Sequence, residues 1–337
     1  MENIQDIICK IQRIVDSHKL ADGQYCRWLW KGETEKTSAR ELGVNPYGCA
    51  DAANILYSIG DFPRDPVLRA EFVRTLQSMQ DPETGLFHER THYPIHTTAH
   101  CAAALELFDA APLYPMKALE PYLEPGKLEE FLENIGWYDN PWTQSHNGAG
   151  IFVAMNLSGE ATPDWNRRYF DWFWREADPE TGLWRKGFTT KPGTKPLYMH
   201  MAGTFHYLFN HEWAHMPLKY PEKLIDSCIE MYKTPGMLPA TFGKQCNFIE
   251  VDWIFCLTRA SRQTPHRFEE IRECLRDFTE KYLHYWRDMN PETDESANDL
   301  HMLFGGVCAL AELQQTLRGE LISDFPLKLV LDHRPFI

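Results

Sequence analysis

Two apolar patterns alternate along the chain. In the first, bulky apolar residues recur at helical spacing among charged ones, near residues 2 to 18, 66 to 80, 117 to 135, 164 to 177, 221 to 234 and 266 to 287. A period near 3.6 with one charged face predicts amphipathic helices that keep one side in solvent. In the second, stretches rich in Ala, Gly, His and Thr begin near Asn45, Pro94, Pro141, Pro196, Gln245 and Ser296, about 50 residues apart. Most follow Pro or a turn cluster, which suits a first helical turn whose N–H groups have no intrahelical acceptor. The second set carries Ala50, Ala52 and Ala53; Ala99, Ala102, Ala103 and Ala104; Gly148, Ala149 and Gly150; Ala202 and Gly203; and Gly305 and Gly306. Small side chains let neighbouring backbones approach closely, so these six helices are expected inside and the six bulky ones around them. Leu329 to Leu331 is the only plausible strand, and no low-complexity linker divides the chain, so residues 1–337 read as one all-α domain.

A repeat reinforces this pattern. Asp81 to Arg90 (DPETGLFHER) and Asp178 to Gly187 (DPETGLWRKG) share DPETGL followed by an aromatic, with weaker echoes at Asp22 to Trp28 (DGQYCRW) and Asn290 to Ser296 (NPETDES). Each copy lies between a bulky helix and a small-residue one, so the repeating unit is a helical hairpin. Six such hairpins with a DPETGLF/W turn resemble the (α/α)6 toroid or barrel folds, over nearly the whole chain. That group includes six-hairpin glycosidases and unsaturated-uronyl hydrolases, several polysaccharide lyases, terpenoid cyclases and protein prenyltransferases. DPETGLW is similar to loops in the uronyl hydrolases. Gln80 to Phe87, leading into THYPIHTTAHCAAALEL, is similar to a prenyltransferase or squalene-cyclase repeat. The resemblance implies a fold more than a reaction, because one fold hosts many chemistries.

Composition narrows the partners. The 337 residues are 43% hydrophobic, 13% aromatic and 24% charged, which is a globular balance with a sizeable core. A net charge of −14 argues against a protein that binds by neutralising phosphates, so nucleic acid is an unexpected partner. No run approaches the roughly 20 apolar residues of a membrane span, and Met1 to Lys10 (MENIQDIICK) lacks the basic and apolar parts of an export signal. Nine scattered cysteines without a CxxC pair indicate reduced thiols, and hence a cytoplasmic protein.

The candidate chemistry comes from overlaying the six small-residue helices. One position is then filled successively by Asp51, His100, His146, His200, Asp252 and His301. Proteins seldom bury such groups unpaired, so the overlay predicts a polar, ligand-filled hollow rather than a dry core. Asp252 and Asp51 are the expected acid and base of a glycoside hydrolase acting on a short oligosaccharide, with the four histidines orienting hydroxyls or moving protons. His96, Glu250 and Asn298, with Asp299, add polar groups nearby. Tyr47, Trp142, Tyr198 and Trp253 are the candidate sugar-stacking aromatics. A lyase would instead use His146 as base, Tyr198 as acid and Asn147 to neutralise a uronate. No cofactor is expected from the sequence, since glycine-rich phosphate loops, GxSxG and Walker motifs are absent. A divalent ion in the His/Asp ring is the one exception to weigh, with His96 and His100 as a local pair.

Two other features need a reading. His211-Glu212-Trp213-Ala214-His215 matches HExxH, but Pro217 follows at once and no third ligand is in sequence reach, so a structural role is expected. An isoprenoid enzyme is the alternative that the toroid resemblance allows, yet DxDD, DDxxD and the Asp-x-Cys zinc pair are missing; Cys49-Ala50-Asp51 has the reverse order. A non-catalytic ligand-binding toroid is the remaining alternative.

Overall fold

The computed structural model describes residues 1–336 and is mostly helical. Its helices are α1 (Gln5–His18), α2 (Glu35–Ser38), α3 (Pro46–Ile59), α4 (Pro66–Ser78), α5 (Pro94–Glu106), α6 (Lys127–Glu133) and α7 (Pro141–Leu157). They continue with α8 (Pro163–Glu176), α9 (Leu197–Trp213), α10 (Pro221–Lys233), α11 (Phe248–Ser261), α12 (Phe268–Asp288), α13 (Glu295–Asn298) and α14 (Leu300–Thr316). Local chemistry sets many of the starts. Pro occupies the first turn of α3, α4, α5, α7, α8 and α10, while Asn45, Asp65 and Thr162 accept backbone N–H groups as N-caps.

The small-residue helices contact one another in a closed cycle: α3 on α5, α5 on α7, α7 on α9, α9 on α11, α11 on α14, and α14 back on α3. Their side chains are buried almost all round, whereas α1, α8, α10 and α12 bury only one face. Close approach depends on missing side chains. A Cβ on Gly203 of α9 would lie 2.8 Å from the Pro141 carbonyl oxygen at the start of α7, and one on Gly150 of α7 would lie 3.1 Å from the Ile95 oxygen of α5.

The two DPETGL turns are structurally equivalent. Asp81 and Asp178 each accept the N–H two residues on, from Glu83 and Glu180, both at 2.8 Å. Each turn then hangs on a threonine of the next helix: Phe87 N–H donates to Thr98 Oγ1 (2.9 Å) and Trp184 N–H to Thr204 Oγ1 (3.2 Å). Gly182 has φ +73°, and a Cβ there would meet Leu224 N at 2.3 Å and the Tyr220 oxygen at 2.7 Å. Left-handed backbone and backbone contact together make Gly necessary. Gly182→Ala is therefore expected to cost about 2–4 kcal/mol, from strain plus overpacking; urea denaturation checks this, and a change under about 0.5 kcal/mol would refute it.

Several boundaries differ from expectation for identifiable reasons. The stretch 117 to 135 is broken, because Pro121 and Pro125 leave a 3₁₀ turn at Lys117–Leu123 before α6 begins after Gly126. The last small-residue helix is split at Asp299, whose extended backbone ends α13 and whose carboxylate caps His301 N–H to start α14. Leu329 to Leu331 is not a strand; Val330–Asp332 forms a 3₁₀ turn. The strands are Glu2–Asn3 paired with Leu321–Ile322, and Lys19–Ala21 paired with Gln24–Tyr25.

The C-terminal segment runs inward. Arg334 and Phe336 are fully buried; Asn210 Nδ2 donates to the Pro335 oxygen (3.2 Å), and the Phe336 ring meets His96 at 4.8 Å and His206 at 6.2 Å. This tail packs against inward residues of the small-residue helices.

Candidate functional site

Asp51, on the second turn of α3, is wholly buried and accepts two imidazole N–H groups on Oδ1, from His100 Nε2 (2.9 Å) and His301 Nδ1 (3.1 Å). Burial pushes its carboxyl upward, but the two imidazole donors more than reverse that and hold Asp51 as a carboxylate. Burial keeps both imidazoles neutral, lowering each despite Asp51. The tautomers follow. His100 donates from Nε2 to Asp51 and accepts Arg334 Nη2–H on Nδ1 (3.2 Å), while His301 donates from Nδ1 and is left with a free lone pair on Nε2.

His301 lines a cavity of about 260 Å³ with Arg27, His92, His96, Trp142, His146 and His206, among others. Five of its lining residues are therefore histidines. Tyr47 lies behind them, its ring stacked on His92 (4.4 Å) and His100 (4.8 Å) and its hydroxyl hydrogen-bonded to His96 Nδ1. Arg27 brings a cation to the rim, but Asp299 takes it bidentately (2.8 and 3.0 Å) and Glu89 lies 3.6 Å away. Burial raises the Glu89 carboxyl, yet its bonds to His92 and the Arg27 charge bring it down to about 2.

Two trios have the donors to hold a metal ion: Asp51, His100 and His301; and His96, His146 and His206. In each, the ligand atoms lie within 4.8 Å of one another. The first trio has spent its facing atoms on the hydrogen bonds above and has the Arg334 guanidinium against it, which opposes a cation. The second opens on the cavity.

The other residues expected at the centre lie elsewhere. His200 turns toward the second DPETGL turn, where Nε2 pairs with Thr194 Oγ1 (3.0 Å) near Asp178; six residues along the same helix, about 240° round at 3.6 residues per turn, His206 takes the inward place. Asp252 does not line the cavity, and among the described residues neither of its buried carboxylate oxygens has a hydrogen-bond partner. It shares a side of α11 with Cys256, whose thiol reaches the Met201 oxygen of α9 and Cys228 of α10, and burial together with Glu250 raises its carboxyl far above the usual range. Glu250, pushed up by burial to about 8, accepts Gly243 N–H (2.9 Å) and fixes the loop before α11. Trp253 of α11 packs against α10, stacked on Tyr232 at 4.7 Å and donating to the Cys228 oxygen. Asn298 pins Leu29 and Trp30 through their N–H groups (3.0 and 2.9 Å). Asn147 and Tyr198 are half-buried and do not line the cavity.

HExxH fails as a metal pair. His211 bonds the Tyr207 oxygen (2.8 Å) and stacks on Trp184, Glu212 pairs with Arg262 (2.8 Å), and His215 lies beyond the helix end at φ +55°. His92, Glu89 and His206 escaped the sequence overlay. The first had a signal, since His92 stands four residues before His96 and eight before His100, just ahead of the helix that starts at Pro94. No protein-family model, curated protein or solved structure matches the chain.

Proposed function

We propose that the chain is an (α/α)6 toroid and that its central hollow is the active site of a carbohydrate-active enzyme, a hydrolase or lyase, with His301 as general base. The closed cycle of helix contacts supports the toroid. The observation that carries the chemistry is the His301 Nδ1–Asp51 hydrogen bond of 3.1 Å: it orients the ring, leaves Nε2 as acceptor in the hollow, and puts a carboxylate where the imidazolium will form. A water or a C–H group held there loses its proton to Nε2. Trp142 and Phe248 offer flat faces to a sugar ring, and the remaining imidazoles offer hydrogen bonds to hydroxyls. A hollow of about 260 Å³ is near the small end of ligand pockets and suits one ring rather than a long chain. Asp252 is absent from the cavity lining, which favours an imidazole base over a paired-carboxylate mechanism. The imidazole-rich lining likewise weighs against an isoprenoid, which would ask for hydrocarbon walls. No helix among the described residues is long and apolar enough to cross a membrane, and nine free thiols, eight of them buried, support a reducing compartment such as the cytoplasm.

Short glycosides and uronides, assayed for released reducing ends and for the absorbance of a new ring double bond, test the reading and separate hydrolysis from elimination. Turnover is expected with the natural protein and a fall of roughly 10²–10⁴-fold with His301→Ala. A folded His301→Ala protein with undiminished turnover would contradict it.

A further inference from the structure

We infer that His96, His146 and His206 form a binding site for one divalent first-row transition ion of the zinc type, with its remaining coordination positions open to the cavity. The site goes beyond the proposed reaction and does not depend on it.

Three imidazoles from three consecutive small-residue helices, α5, α7 and α9, present ring nitrogens within 4.8 Å of one another at the cavity wall. Three histidines plus an open position is a recurrent catalytic ligand set for zinc, and nitrogen donors suit zinc and its neighbours better than calcium or magnesium. Metal–nitrogen bonds of about 2.0–2.1 Å put tetrahedral donors about 3.4 Å apart, so small side-chain rotations at most are needed to close the set.

Each of the three rings keeps a nitrogen free of protein partners among the described residues. His96 commits Nδ1 to the Tyr47 hydroxyl, and His206 commits Nδ1 to the Ala202 oxygen (3.1 Å) and Ser145 Oγ (3.0 Å). Among the described residues nothing hydrogen-bonds the Nε2 of either ring or any nitrogen of His146, and none of these atoms is sealed from the cavity. Ligating histidines characteristically spend their other nitrogen on such an outer partner, which fixes tautomer and ring angle. Burial, reinforced for His96 and His146 by neighbouring imidazoles, keeps all three rings neutral and available as ligands. Arg27, the cation in the cavity lining, is balanced by Asp299 and Glu89.

The test is titration of the chelator-stripped full chain with Zn²⁺, and with Co²⁺ for its visible absorption, in competition with a chromophoric chelator. One ion per chain is expected, with a Co²⁺ spectrum of nitrogen ligation. His146→Asn, which breaks no protein hydrogen bond and should melt like the natural chain, is expected to weaken binding by more than the roughly 10–100-fold that loss of an outer partner costs; Tyr47→Phe should fall within that range. His211→Asn, in the HExxH stretch, should change nothing. Absence of binding, binding indifferent to both His146→Asn and His206→Asn, or binding abolished by His211→Asn would each overturn the assignment. Because the readout is stoichiometry and affinity, failure here is distinct from failure of the His301 reaction.

Discussion

Stability is expected to peak near pH 6.5 and to fall steeply toward acid. In the folded chain burial brings His92, His200 and His211 down to about 4 and His206 to about 3, against an ordinary value of 6.5; His18, His96, His100, His146 and His301 move the same way. Between these values the unfolded chain binds more protons than the folded one, so stability rises with pH, by up to about 1.4 kcal/mol per pH unit for each group. Several such groups exhaust the roughly 5–15 kcal/mol of an ordinary domain within two or so pH units. Buried acids act in the opposite sense. Glu250 and Glu312 are raised to about 8 and Asp252 also upward, so their contribution is whole below about 4.5 and is lost as pH rises through the folded value. The histidines outnumber them in the acid window and leave them alone above 6.5, which puts the maximum between the two. Denaturant midpoints across about pH 4 to 9 check this. A plateau from neutral pH to about 4.5 would show that the imidazoles stand in water.

Asp51 is the residue whose replacement should do most. Asp51→Ala leaves two imidazole N–H groups and the Arg334 charge without their anion in a fully buried place, a loss of about 3–5 kcal/mol by the standard of broken buried pairs. Asp51→Asn keeps the volume and should cost less stability, but an amide can present its own N–H to His301 and favour the wrong tautomer. On the proposed function turnover then falls on the order of 10³–10⁴-fold. The two substitutions thus separate support from chemistry: the first is read by denaturation, the second by rate in a folded protein. An Asp51→Ala chain as stable as the natural one would show that the anion is not holding the cluster.

The sequence carried the alternation of bulky and small helices because a helix packed on all sides needs small residues where backbones meet, and Gly203 and Gly150 stand at those contacts. It also carried the DPETGL turn, whose Asp and Gly are required by the same local geometry in both copies. The overlay that predicted a polar centre put Asp51, His100, His146 and His301 at or beside the hollow, but it assumed one phase for all six helices. α9 is set differently, so His206 replaces His200, and Asp252 of α11 does not reach the cavity lining. Helix phase is fixed by packing between elements far apart in sequence, and no local pattern encodes it. The same holds for the tail: nothing about Arg334 and Phe336 as a sequence predicts that they pack against His100 and His96.

Nitrogen-resolved NMR of the imidazole rings measures the cluster most directly. His301 should appear as the Nδ1–H tautomer and His100 as the Nε2–H tautomer, each titrating below the ordinary imidazole range, as their shared bond to Asp51 and their burial require. Rings that average both tautomers and titrate near 6.5 would contradict the account.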